Sequence, residues 1–224
     1  ASLLKPNGVL AFEDPYLGAM ISKTSYDQLY DEHVFIFSAH SVQNAFARHG
    51  LELFHVQPLE THGGSMRYYL SHKGAHKIRD SVHEQLSYEK KLNLDNAKGF
   101  IYFKNNCEKN KFDLVQLLQQ LKSQGKRVVG YAATSKSTTI LNYCKIGSDL
   151  IEYICDTTPI KQNKYSPGMH IPVKPYEAYK NDFPDYAILF AWNHAEEIME
   201  KESAFIKNGG KWILFVPKVG VLND

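Results

Sequence analysis

Val128-Val129-Gly130-Tyr131-Ala132-Ala133-Thr134-Ser135-Lys136-Ser137-Thr138-Thr139 passes from an apolar run, through small residues, into a hydroxyl-rich helix start. A strand over 127–133 that feeds a helix is half of a strand-helix-strand unit, and strands are predicted again over 151–155, 186–192 and 211–216, with helical segments between. This alternation predicts a parallel sheet with right-handed crossovers. The run Ala187-Ile188-Leu189-Phe190-Ala191 is apolar throughout, as a strand covered on both faces must be. The turn at Gly130 points free N–H groups and a helix dipole outward, which suits a phosphate. Gly130, Lys136 and Ser137 fall where a Walker A loop has its glycine, lysine and hydroxyl, but Ser135 stands where the second glycine belongs. With no acidic strand end read as serving Mg²⁺ either, ATP hydrolysis is not expected. Diphosphate binding without metal chemistry, and a plain strand-to-helix turn with an exposed Lys136, both fit. Asp156 ends the next strand where dinucleotide-binding folds meet a ribose hydroxyl. The segment 161–173, with Tyr165, Gly168 and His170, reads as a long ordered loop and a ligand wall. Trp192-Asn193-His194 falls at a strand end on the same edge.

Upstream, residues 74–125 hold few turn signals. Ile78, Val82 and Leu86 recur at a spacing of four, and Phe112, Val115, Leu118 and Leu121 close a second helix, so a helical connector is expected. The first 73 residues read as a further, incomplete α/β unit that starts in mid-fold. A strand over 9–12 delivers Glu13-Asp14-Pro15-Tyr16, either as carboxylates at a strand end or as a turn. A helix runs from Ser38 to Gly50, and a strand follows over 51–56. Thr61-His62-Gly63-Gly64-Ser65-Met66-Arg67 leads into an aromatic strand over 68–70; its glycines fit a hairpin or a backbone approach to a ligand, and Ser65 and Arg67 could bind an anion. Tyr30-Asp31-Glu32-His33-Val34-Phe35-Ile36-Phe37-Ser38 concentrates acid-base groups beside an apolar run. As a strand it places His33 on the face of Phe35 and Phe37, where lost solvation favours the neutral, basic imidazole. As a helical turn it stacks Tyr30 on His33.

Composition narrows the function classes. Of 224 residues 43% are hydrophobic and 22% charged, with a formal charge of +2, so no general pull toward nucleic acid exists. The three cysteines are far apart, too few for a thiolate zinc site, and suggest a reducing compartment. No apolar run approaches the roughly 18 residues of a membrane span and no signal peptide is evident, so no membrane partner, no metal and a cytoplasmic location are expected.

Four motifs occur in order: Tyr30 through Ser38, His62 through Arg67, residues 130–142, and Tyr165-Ser166-Pro167-Gly168-Met169-His170-Ile171-Pro172-Val173. Together they resemble the sugar C-methyltransferases over essentially the whole chain. The resemblance implies an enzyme that moves a methyl group from S-adenosylmethionine to a carbon of a nucleotide-linked 4-keto-deoxy sugar by base-assisted enolate formation. It implies the C-terminal half of a class I methyltransferase sheet over 1–73, the helical connector over 74–125 and a Rossmann-like domain over 126–224. The glycine-rich donor loop and the family's zinc segment would lie in a missing N-terminal part of the same protein. By the family motif His33 is the base, Glu32 orients or replaces it, and Tyr30 hydrogen-bonds the sugar or its enolate. Glu13, His62, Ser65, Arg67, Lys136, Ser137, Tyr165, His170 and Asn193 are the expected contacts to the nucleotide-diphosphate sugar. Ala132 and Ser137 stand where relatives tend to have glycine.

Overall fold

A computed structural model describes residues 1–222. These group into two compact units, one of Ala1–Ser25 with His33–Asn105 and one of Tyr26–Glu32 with Asn106 onward. No helix among the described residues is long and apolar enough to cross a membrane.

The first unit contains β1 (Val9–Pro15), α1 (Leu17–Lys23), α2 (Ala39–Ala47), β2 (Leu51–Leu59), β3 (Ser65–His72), α3 (Asp80–Lys91) and the start of α4 (Ala97–Ser123). Its sheet has the order β1-β3-β2 with β3 antiparallel to both neighbours, so β1 and β2 run the same way. Strand alternation sends Leu10 and Phe12 inward, where Phe12 stacks on Phe46 and Tyr68 at 5.7 and 5.0 Å. Ala39 and Val42 of α2 and Val82 of α3 close this core against Leu53, Met66 and Leu70. The expected helix from Ser38 forms because Ser38 and Ser41 make a reciprocal capping box. Glu89 of α3, 2% exposed, accepts from the N–H groups of Ala39 and His40 at 2.6 and 2.9 Å. It also accepts from the Tyr16 hydroxyl at 3.1 Å, and Gln85 donates to the same hydroxyl. A buried carboxylate thus satisfies the positive end of α2.

Three expectations are corrected here. β1 continues through Pro15, so Glu13 and Asp14 lie within the strand rather than beyond its end. Residues 34–38 form no strand; a single bridge joins Phe37 to Tyr16, and Val34 and Phe35 are 80% and 66% exposed, so the strand face expected to carry His33 with Phe35 and Phe37 does not form. The 74–125 segment is divided between the units: Ile78, Val82 and Leu86 pack in the first core, whereas the later part of α4 belongs to the second. There α4 buries Leu118 and Leu121 as predicted, but earlier in the helix Leu114 is the buried residue, Val115 is half-buried and Phe112 stands in solvent.

The second unit is built from β4 (Val128–Tyr131), α5 (Ser135–Cys144), β5 (Ile154–Asp156), β6 (Lys164–Tyr165), β7 (Pro172–Pro175), α6 (Tyr176–Asn181), β8 (Tyr186–Leu189), α7 (Ala195–Lys201), α8 (Ser203–Lys207), β9 (Lys211–Leu214) and β10 (Gly220–Leu222). The sheet order is β10-β9-β8-β4-β5-β7-β6; the five inner strands are parallel, and β6 and β10 are antiparallel edges. The predicted parallel sheet is therefore present. The expected 161–173 loop is instead the β6–β7 hairpin, closed by Ser166 N–H to Ile171 O at 2.8 Å. Chain order reverses between β4 and β8, so the crevice beyond their carboxyl ends is where open α/β sheets take ligands.

Candidate functional site

In the first unit, strand alternation puts Asp14 on the inward face after Leu10 and Phe12. His33 Nδ1 lies 3.2 Å from Asp14 Oδ1, with about a fifth of each side chain exposed. Burial raises the Asp14 carboxyl, and the adjacent His33 charge and hydrogen bond pull it back. Such an arrangement fixes the imidazole tautomer: with Nδ1–H toward Asp14, the basic lone pair is on Nε2. Asp14 was open to being a turn residue in the sequence because Pro15 follows it; the period-2 pattern of Leu10, Phe12 and Asp14 was the available signal. Glu32, expected to orient His33, is exposed, and Tyr30 is half-buried. Both are grouped with the second unit.

On the other face of β1, Glu13 accepts from Thr61 Oγ1 at 2.8 Å and from Arg67, which sits opposite it in the β1–β3 register, at 3.0 Å. These bonds, led by Thr61, hold the Glu13 carboxyl below its usual range. Ser65 is buried and donates to Thr61 O, and His62 takes a left-handed backbone at φ 54°. Gly64, at φ 134°, passes so close to α1 that a Cβ would lie 2.5 Å from Ala19 Cβ, which accounts for a glycine there. Lys23 donates to Gly63 O at 2.6 Å. The 61–67 turn is thereby pinned to α1, with Glu13, Thr61 and Arg67 sharing one polar surface.

In the second unit the 130–142 motif is rebuilt from the expected Walker-like cradle. Gly130 lies inside β4, where a Cβ would meet the Phe190 ring at 2.6 Å; it is a packing glycine. Ser137 is 2% exposed and donates to Thr134 O at 2.6 Å, closing a capping box at the start of α5, and it also lines the cavity beside that helix start. Lys136 is not an exposed lysine: only 8% of it meets solvent, its Nζ donates to Asn193 Oδ1 at 3.0 Å, and it lies 4.7 Å from the Trp192 ring centroid. Trp192 Nε1 donates to Asp27 Oδ2 at 2.6 Å. Asp156 is likewise committed, accepting from the N–H groups of Ala133 and Thr158 and from Lys161, so it ties loops together and does not await a ribose. Asn142 donates to Pro167 O, and Gly168 leaves no room for a side chain beside Asn142, which joins the 130–142 and 165–173 motifs. A cavity of about 310 Å³ opens beside the α5 start, with Thr134, Ser135, Lys161, Lys164 and Tyr165 in its walls. Tyr165 is 67% exposed, and His170 is exposed at a left-handed φ of 52°.

Two predictions arise from these positions. Ala132 sits at φ 72°, a conformation that favours glycine. Ala132→Gly is expected to raise stability by about 0.5–1 kcal/mol, read as a higher denaturation midpoint. Asp27 is fully buried, and desolvation pushes its carboxyl up to about 6 against the Trp192 hydrogen bond and the Lys136 charge. The folded pKa exceeds the unfolded one, so this contribution is present below about pH 4 and is lost as pH rises through 6. Asp27→Asn is expected to flatten the fall in stability between pH 4 and 6 by at most about 3 kcal/mol, checked by urea unfolding across that range.

A sequence model of the C-methyltransferase C-terminal domain matches residues 60–217. The chain belongs to this C-methyltransferase family. It is also 33% identical, over all 224 residues, to the C-methyltransferase NovU of Streptomyces niveus. The chain spans 53% of that relative, about half its length. The family match runs from the 61–67 turn of the first unit to the end of the parallel sheet of the second, so this C-methyltransferase domain includes the Arg67 surface, the Lys136 cluster and the β6–β7 hairpin. His33 and Asp14 precede the matched residues and lie within the span shared with the relative. No cluster of three or more His, Cys, Asp or Glu able to hold a metal ion occurs among the described residues.

Proposed function

We propose that this chain supplies the acid-base half of an S-adenosylmethionine-dependent C-methyltransferase acting on a nucleotide-linked 4-keto-deoxy sugar. The observation that carries the reading is the His33–Asp14 pair, an imidazole held by a half-buried carboxylate in a C-methyltransferase family chain. A ketone acidifies the proton on the neighbouring carbon. His33 Nε2 removes it, and Asp14 stabilises the imidazolium that results. Tyr30 donates to the developing enolate oxygen, and Glu32 serves the same acid-base stretch. In the first unit Glu13, His62 and Arg67 offer polar groups to a sugar, with buried Ser65 bracing the turn that carries them; in the second unit, taken by itself, Lys161, Lys164 and Tyr165 suit a nucleotide diphosphate, two cations for phosphate and an aromatic face for the base.

On this reading S-adenosylmethionine is held by a part of the full-length protein outside this chain, which spans 53% of the relative it matches. No step is therefore assigned through the donor, whose chemistry is to present an electrophilic methyl group. The test is made without it. The full-length protein, incubated in D₂O with a thymidine-diphosphate 4-keto-6-deoxy sugar, is expected to incorporate deuterium at the carbon next to the ketone. Absence of incorporation, together with absence of methylation when the donor is added, would overturn the reading.

A second reading is favoured by the 310 Å³ cavity alone: a nucleotide-sugar-binding module without chemistry. It predicts binding of thymidine diphosphate with no deuterium incorporation.

A further inference from the structure

The second unit includes one short piece from far upstream, residues 26–32. Tyr26–Gln28 forms a 3₁₀ turn, and all three residues are buried. The turn is tied down at each exit. The Tyr26 hydroxyl donates to Asn110 Oδ1 at 3.0 Å, and Asn110 in turn donates to Phe215 O at 2.6 Å. Asp27 receives the Trp192 Nε1–H, and Thr139 Oγ1 donates to Leu29 O at 3.0 Å. Trp192 and Asn193 belong to the loop after β8, and Lys136 follows the loop after β4, so these groups occupy the crevice at the reversal of strand order. That crevice is the place where such sheets take a ligand. Here the chain fills it with its own carboxylate: Asp27 is inside, Lys136 stands over the Trp192 ring, and Asn193 holds the lysine.

We infer that Asp27, Lys136, Trp192 and Asn193 are positioning residues that seat the 26–29 turn in the switch-point crevice of the second unit and so fix where the Tyr30–Glu32 stretch begins. The inference rests on the proposed role of that stretch in the reaction, and it removes Lys136 from the set of phosphate contacts. The carboxylate and the ammonium neutralise each other's charge where neither reaches water freely, and the indole bridges them, donating to one and presenting its face to the other. Loss of any member frees the turn without touching substrate.

Hydrogen exchange of the 29–33 peptide in the full-length protein reads the seating directly, with the unfolding midpoint as the control for folding. Trp192→Phe and Asp27→Ala are expected to speed exchange over 29–33 about 10-fold or more, and Asp27→Asn, which keeps an acceptor for the indole, is expected to stay within about 3-fold of the parent protein. Lys136→Met is expected to speed the same exchange while thymidine diphosphate affinity changes less than about 2-fold. In turnover, Trp192→Phe lowers kcat and leaves KM for the nucleotide sugar in place. Unchanged exchange over 29–33 in folded Trp192→Phe would overturn the inference. So would a Lys136→Met protein that loses about 10-fold or more in thymidine diphosphate affinity with exchange unaltered, since that marks a phosphate ligand. Exchange is read without turnover, so failure here is distinct from failure of the methyl-transfer reading, which deuterium incorporation reports.

Discussion

His33→Ala in the full-length protein is expected to lower kcat about 10² to 10⁴-fold, the range for removing a positioned general base. Deuterium incorporation into the keto sugar should fall by the same factor, because both begin with the same proton. Asp14→Asn is expected to cost on the order of 10²-fold or more while leaving KM near its starting value, since the carboxylate sets the tautomer and steadies the imidazolium without reaching the sugar. Glu32→Gln separates the two candidate partners of the histidine. If Glu32 is the orienting group it should match Asp14→Asn, and if Asp14 is, the loss should be markedly smaller. A His33→Ala protein that kept most of its kcat would remove the acid-base assignment altogether.

Glu89→Ala is expected to give the largest loss of stability, about 3 kcal/mol or more, seen as a fall of roughly 1–3 M in the urea midpoint. Three donors converge on this buried carboxylate: two backbone N–H groups at the start of α2 and the Tyr16 hydroxyl. Alanine leaves all three in an apolar setting and removes the negative charge from the positive end of a helix. Glu89→Gln retains an acceptor and is expected to lose less than half as much. Burial, followed by the Glu89 charge, already raises the Tyr16 phenol far above its ordinary range, so Tyr16 stays a neutral donor at every working pH.

The legible parts of the fold were those set by local chemistry. Ser38 announced a helix start, and the apolar run at 187–191 announced a doubly covered strand, and both are present. Thr134 with Ser137 repeats the same capping geometry, and because phosphate-binding loops draw on the same residues, the sequence alone does not separate a cap from a ligand contact. The strands that escaped, β6, β7 and β10, are two to four residues long and are made by pairing, not by periodicity. In the candidate site, His33 stood out in the sequence by the company of its neighbours, whereas the carboxylate that lies beside it did not. Asp14 is nineteen positions upstream of His33, and only strand alternation aims it inward. Lys136 shows the other limit: its burial depends on Asn193, 57 residues away, and on an aspartate from a segment more than a hundred residues upstream.

Because residues 26–32 belong to the second unit while the rest of it begins after Asn105, that unit is discontinuous in sequence. Genes cut at the linear border would therefore separate a lid from its box. A polypeptide of residues 106–224 made alone would uncover Trp192 Nε1, Asn110 and the Thr139 hydroxyl together with the apolar walls around Tyr26. The peptide corresponding to residues 24–33, added in trans, becomes the natural complement for such a fragment, and a chain in which a linker replaces residues 34–105 between that decapeptide and the fragment supplies the same complement in cis.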